Sequence, residues 1–197
     1  MDSCPDGDGA PGPGEPIGRV PVSRWLLFWG LALGGAAFDL ATKAMIFARV
    51  GEPPSPPLPL IADILELRTS HNPGALWGLG RSLPHSSLIF AALSVLAAVA
   101  ICYWLFVRGA AADGRLTAAL GLIMAGALGN CYDRLLLVHL RDFVHFHVDS
   151  IGFDFPIFNF ADNMLVAGAV ALMLLALRPE PLPLPEAARA GSAPSAS

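Results

Sequence analysis

Two carboxylates, Asp142 and Asp162, stand in a stretch that is polar for so apolar a chain, Gly129 to Asn163, reading GNCYDRLLLVHLRDFVHFHVDSIGFDFPIFNFADN. Two acids brought together at a membrane edge cannot both ionise readily and must share one proton. One then serves as a base towards a water and the other as an acid towards a carbonyl, the two roles that peptide hydrolysis needs. Each residue also has a plain structural use. Asp162 follows Asn159 by three and opens an apolar run, so Asn159 can cap a helix while Asp162 complements its dipole. Asp142, between Arg141 and Phe143, has nothing nearby to cap, and its plain alternative is a solvated loop carboxylate.

Other polar residues fall at the edges of apolar runs. Asn130, Asp133 and Arg134 share one face by their offsets of three and four, and Asp133 beside Arg134 reads as an ion pair at a helix end. Asp39 and Lys43, four apart within the first apolar run, can neutralise one another. Competing chemistries are thinner. No G-x-S-x-G elbow is present, Cys102 lies in mid-run, and Cys131 has no base in its own segment. His139, His145 and His147, taken with Asp142, Asp149 or Asp154, have no established metal-ligand spacing and read as surface histidines on a loop, so no metal is expected.

The elements that hold these residues follow from composition. Of 197 residues, 54% are hydrophobic and 14% charged, against roughly 25% charged in soluble domains, and the mean hydropathy is +0.58. The chain reads as an all-α membrane protein. A net charge of −4 with scattered basic residues excludes a nucleic-acid partner. Three cysteines without ligand spacing exclude a disulfide framework or zinc finger, and the first twenty residues carry no signal-peptide pattern.

Four spans are expected: Trp25 to Ala48, Ser87 to Val107, Leu116 to about Leu128, and Asn159 or Ala161 to Leu177. Residues 23–178 then form one transmembrane domain between disordered tails at 1–22 and 179–197, both rich in Pro and small residues. Leu60 to Thr69 alternates as a half-exposed strand, followed by a turn at Asn72-Pro73-Gly74. The region from Arg134 to Phe158 reads as a loop. Four spans leave both termini on one side, and the basic residues divide evenly between the two sides, leaning towards termini inside because Arg108 and Arg115 crowd one short connection.

Five blocks, FDLATK (Phe38 to Lys43), HNPGALWG (His71 to Gly78), GNCYDR (Gly129 to Arg134), RDF (Arg141 to Phe143) and FNFAD (Phe158 to Asp162), occur in the order of the signature blocks of lipoprotein signal peptidase, or signal peptidase II, which the chain resembles. Leu76 and Trp77 depart from the Ala and Phe more usual in the second block. The resemblance implies a monomeric, cofactor-free aspartyl endopeptidase of the bacterial inner membrane, with four transmembrane helices, both termini cytoplasmic and the site near the extracytoplasmic face. It implies cleavage of diacylglyceryl-modified prolipoproteins just before the lipidated cysteine, in contact with membrane lipid. By the same matching Asp142 and Asp162 are catalytic, with Asn72, Asn130, Arg134 and Asn159 as substrate contacts or supports. Asp39 and Lys43 become a stabilising pair, and the first outer loop forms a small extracytoplasmic β-sheet. The weighed alternative is a non-enzymatic protein, such as a proton-coupled transporter or assembly factor, using Asp39 and Asp162. Transport favours acids at mid-membrane, whereas most acids here cluster at span ends.

Overall fold

The computed structural model describes residues 20–74 and 85–178. The tails expected over 1–22 and 179–197 lie outside these residues, except that Val20 packs on the core and the first helix already begins at Val22. That helix, α1 (Val22–Val50), ends at Gly51, whose φ of 102° is open to glycine and lets its N–H cap Phe47 O at 3.0 Å. The prolines that follow cannot continue it.

Helix α2 (Ser86–Cys102) runs on through a π-helical turn at Tyr103–Val107. A short 3-10 turn at Ala110–Ala112 leads into α3 (Gly114–Leu136), whose N-cap Asp113 accepts hydrogen bonds from the backbone N–H groups of Arg115 and Leu116. Helix α4 spans Phe160–Ala176. The third helix therefore reaches two turns beyond the expected Leu128. Its polar end is still helix because partners from α1 and the sheet satisfy it.

Helix α3 packs against all three of the others and is the most buried of the four. Small residues let them come close: a Cβ at Gly126 would run into Ala161 O of α4, and one at Gly168 into Ala119 O of α3. At the end nearest the first residues, Phe28, Ala32, Leu105, Leu120 and Met124 form the apolar core. Elsewhere the outward faces are apolar, with Leu33 and Met45 on α1, Leu96 and Val99 on α2 and Val166 and Leu174 on α4 all exposed. Exposed apolar faces on several helices suit contact with lipid rather than water. Two segments, Val22–Val50 and Ser86–Val107, are long and apolar enough to cross a bilayer, while Phe160–Ala176 is apolar but shorter.

A four-stranded antiparallel sheet, ordered β1-β2-β3-β4, caps the other end. It comprises β1 (Leu58–Ile61), β2 (Leu65–Asn72), β3 (Leu140–Val148) and β4 (Phe153–Asp154). Two expectations are corrected here. The alternating stretch Leu60 to Thr69 is not one strand but parts of two, joined by a turn at 62–64 in which Asp63 takes φ 58°. The sheet is not drawn from the first loop alone: half of it comes from the region read as a loop, whose backbone pairs with β2 from Leu65↔Phe146 to Asn72↔Leu140.

Candidate active site

Helix α4 starts where it does because the chain ahead of it is tied to the sheet. Phe158 N–H donates to Val144 O at 3.0 Å, and Phe158 O accepts from the N–H groups of both Phe143 and Val144. Asn159 follows at once as the N-cap. Its Oδ1 accepts Asp162 N–H at 3.1 Å and Asp162 Oδ2 accepts Asn159 N–H at 3.1 Å, a reciprocal capping box. The plain use foreseen for these two residues is therefore present. It does not exhaust either side chain.

Asn159 Nδ2 also donates to Asp142 Oδ1 at 2.6 Å, so this one residue bonds both carboxylates, Asp142 through its side-chain amide and Asp162 through its backbone N–H. The other oxygen of Asp142 accepts from Asn72 Nδ2 at 3.0 Å. Asn72 is itself fixed, because its Oδ1 accepts Gly74 N–H at 3.0 Å in the expected turn, and Ser86 at the start of α2 donates to Pro73 O at 2.7 Å. Asp142 is 2% exposed, on a strand rather than a solvated loop. Burial, followed by the nearby charge of Asp162, pushes its carboxyl up to about 7, against the opposing pull of the Asn72 and Asn159 amides.

Asp162 is held from the other side. Asn130 Nδ2 on α3 donates to Asp162 Oδ1 at 2.8 Å, and Asn130 Oδ1 accepts from Lys43 Nζ at 3.1 Å. The ammonium thus fixes which way the Asn130 amide faces. Lys43 also forms ion pairs with Asp39 Oδ2 at 2.7 Å and Asp133 Oδ2 at 3.2 Å. Asp39 Oδ1 in turn accepts Ala161 N–H at 2.8 Å, placing a second acid on the first turn of α4. Gly129 leaves the space for this reach, since a Cβ there would lie 2.5 Å from Asp39 Oδ2.

Asp133 does not pair with Arg134 as expected. It binds Arg141 instead, with Oδ1 2.7 Å from Nη2 and 3.2 Å from Nε, and Oδ2 3.1 Å from the backbone N. That anchors β3 to α3 immediately beside Asp142. Arg134 is buried against Phe90, 5.4 Å from its ring centroid, and Nη2 reaches Gly74 O at 3.4 Å. Its Nε has no partner among the described residues, and Asp162 and Asp142 are the leading charges acting on it.

All eight residues singled out in the sequence therefore stand in or against one cluster: Asp142 and Asp162, then Asn72, Asn130 and Asn159, then Asp39, Lys43 and Arg134. Arg141 was missed and Asp133 misassigned. The signal for Asp133 was its place one turn after Asn130; nothing local marked its partners. A buried acid whose carboxyl is pushed up to about 7 partly by the charge of a second acid, itself fixed by an amide and a helix start, makes a pair suited to proton transfer in both directions.

A family model described as signal peptidase (SPase) II matches residues 31–178. The chain is 39% identical over 166 residues to a protein named lipoprotein signal peptidase from Rhodopirellula baltica (strain DSM 10527 / NCIMB 13988 / SH1), covering 78% of this chain and 73% of that one. It is 31% identical over 143 residues to a protein of the same name from Staphylococcus aureus (strain JH9), covering 72% and 82%. Two solved structures, both described as bacterial membrane enzymes, are similar at 28% identity. One has a TM-score of 0.66 over 81% of this chain and 90% of its own, the other 0.67 over 82% and 97%.

Proposed function

The chain belongs to the signal peptidase II family, whose members cleave the signal peptides of prolipoproteins, and on that premise we propose an aspartic mechanism with Asp142 and Asp162 as the reacting pair. The observation that carries this reading is Asn159. A single side chain bonded to Asp142 at one end and to the backbone of Asp162 at the other holds the two acids in fixed relation.

Asp142 enters the cycle protonated and Asp162 ionised. A water between them gives a proton to Asp162 as its oxygen attacks the scissile carbonyl, and Asp142 gives its proton to the carbonyl oxygen. Collapse of the tetrahedral intermediate returns that proton to Asp142 while Asp162 protonates the leaving amine. Both carboxyls regain their starting states. No covalent intermediate forms, and no metal takes part.

The substrates are diacylglyceryl-modified prolipoproteins, cut before the lipidated cysteine. The signal helix enters sideways from the bilayer against the apolar faces of the bundle, and the acyl chains stay in lipid. All four helices span the bacterial inner membrane in this reading. Both termini are cytoplasmic, the sheet and the dyad lie at the extracytoplasmic face, and the protein acts as a monomer. The weighed alternative, a transporter built on Asp39 and Asp162, is disfavoured because Asp39 is already committed to Lys43 and to the first turn of α4.

The test is cleavage of a purified diacylated precursor by the protein in detergent or vesicles. Asp142→Asn and Asp162→Asn are each expected to lower kcat by about 10³-fold or more with the fold intact. Turnover at the wild-type rate by either variant removes that residue from the pair.

A further inference from the structure

We propose that the outer sheet carries a binding site for a divalent d-block cation of the zinc class, with Glu66, His145 and His147 as ligands. The three come from two strands. Glu66 on β2 is the register partner of His145 on β3, and His147 lies two residues further along the same face of β3. Each offers a ligand atom, and those atoms all lie within 4.8 Å of one another. The imidazoles stack at 5.0 Å and 20°, with a ring nitrogen of His145 2.8 Å and one of His147 3.9 Å from the Glu66 carboxylate.

His145 is held between two carboxylates. Its Nδ1 is 2.8 Å from Glu66 Oε1 and its Nε2 is 2.7 Å from Asp154 Oδ1. A cation bound by Nδ1 replaces the contact with Glu66 by a shared ligand bond and keeps Asp154 as the hydrogen-bond partner of the other ring nitrogen. His147 is prepared for ligation in the way zinc-binding histidines commonly are. Asp149 Oδ1 accepts from its Nδ1 at 2.8 Å, which directs Nε2 towards Glu66 Oε2 at 3.9 Å. That gap is too long for a hydrogen bond. It exceeds by about half an ångström the roughly 3.4 Å between two atoms bound tetrahedrally at about 2.0–2.1 Å to one ion, a difference that a small side-chain rotation closes. Two imidazoles with one carboxylate are a zinc-type donor set, whereas calcium and magnesium take oxygen ligands.

Solvent reaches the cluster from the side of Asp154, whose side chain is 77% exposed, while His145 is 8% exposed. Strand alternation puts His145 and His147 on the face of β3 opposite Asp142, so the ion would clamp β2 to β3 without touching the carboxylate pair. The sequence spacing of the histidines gave no hint of this, because the third ligand is 79 residues away from His145.

The full chain, freed of any histidine tag and purified in detergent with chelator-treated buffers, is titrated with Co²⁺ and then Zn²⁺. One equivalent of Co²⁺ should bind with ligand-field absorption, be displaced by Zn²⁺, and be unaffected by excess Mg²⁺ or Ca²⁺. His147→Gln and Glu66→Gln should each weaken Zn²⁺ binding at least about tenfold, and His139→Gln, outside the cluster, should not. Zn²⁺ should raise the Tm of the wild type and of His139→Gln but not of His147→Gln. Retained cleavage of the diacylated precursor by His147→Gln shows that this variant is folded. No saturable Zn²⁺ binding by the wild type, or binding undiminished in folded His147→Gln, overturns the proposal.

Discussion

Two pairs of acids sit side by side in this protein and are held in opposite ways. Asp39 and Asp133 are fully buried, and each is matched by a cation, Lys43 between them and Arg141 on the far side. Asp142 and Asp162 are held by the neutral amides of Asn72, Asn159 and Asn130. A cation in contact cancels the charge of a carboxylate where it lies and occupies its oxygens. An amide holds a carboxylate in place without cancelling its charge. The first pair is neutralised within the bundle, and the second is the one on which the proposed acid–base chemistry rests.

The contrast is sharpest in what each acid does when it becomes an amide. Asp142→Asn and Asp162→Asn are expected to lose cleavage and keep the fold. Asp133→Asn leaves Lys43 and Arg141 with too little negative charge in a buried place, and removing one partner of such a cluster costs roughly 3–5 kcal/mol. Its Tm should therefore fall steeply, while kcat per folded molecule falls far less than in the dyad variants; a loss of cleavage as deep as that of Asp142→Asn would place Asp133 among the reacting groups. Asn130→Ala probes the seam between the two pairs. It deletes a hydrogen bond to a charged group, worth about 1.5–3 kcal/mol, and should lower kcat by roughly 10–100-fold with KM little changed.

The smallest effect is a displacement along the pH axis. Asp142 must be protonated to act as the acid, and its carboxyl stands at about 7, so cleavage should decline as pH rises through that value. The Asn72 amide favours the ionised form. Asn72→Ala removes that pull, which raises the carboxyl further and moves the descending limb to higher pH. If activity instead rises with pH through that value, and this ascending limb moves to higher pH in Asn72→Ala, Asp142 is the base and not the acid.

The helices were legible because each apolar run is long and ends in breakers such as Gly51 or Arg178-Pro179. The end of α3 was not, since Asn130, Asp133 and Arg134 look like an exit from the membrane until Lys43 and Arg141 arrive from distant segments. The β1–β2 turn was invisible for a local reason: Asp63 adopts positive φ where sequence reasoning looks for glycine. Strand β3 hid behind its polar residues, because Asp142 and His145 are buried on opposite faces and blur the alternation. The residues that meet in this cluster stand out in the sequence by spacing and by the ordered blocks. Their connections do not, as Asn72 reaches Asp142 across 70 residues and Lys43 reaches Asn130 across 87.

The cap at the start of α4 has a consequence for how the protein comes into being. Asn159 closes its helix directly after Phe158 pairs with β3, and β3 is anchored in turn through Arg141 to the α3 residue that also meets Lys43. Among the described residues α4 is the last helix in chain order, so it is the last to join the cluster. Until it docks, Asp142 lacks its Asn159 partner and Asp162 has not met Asn130, so the paired arrangement is a property of the finished fold and of no earlier stage.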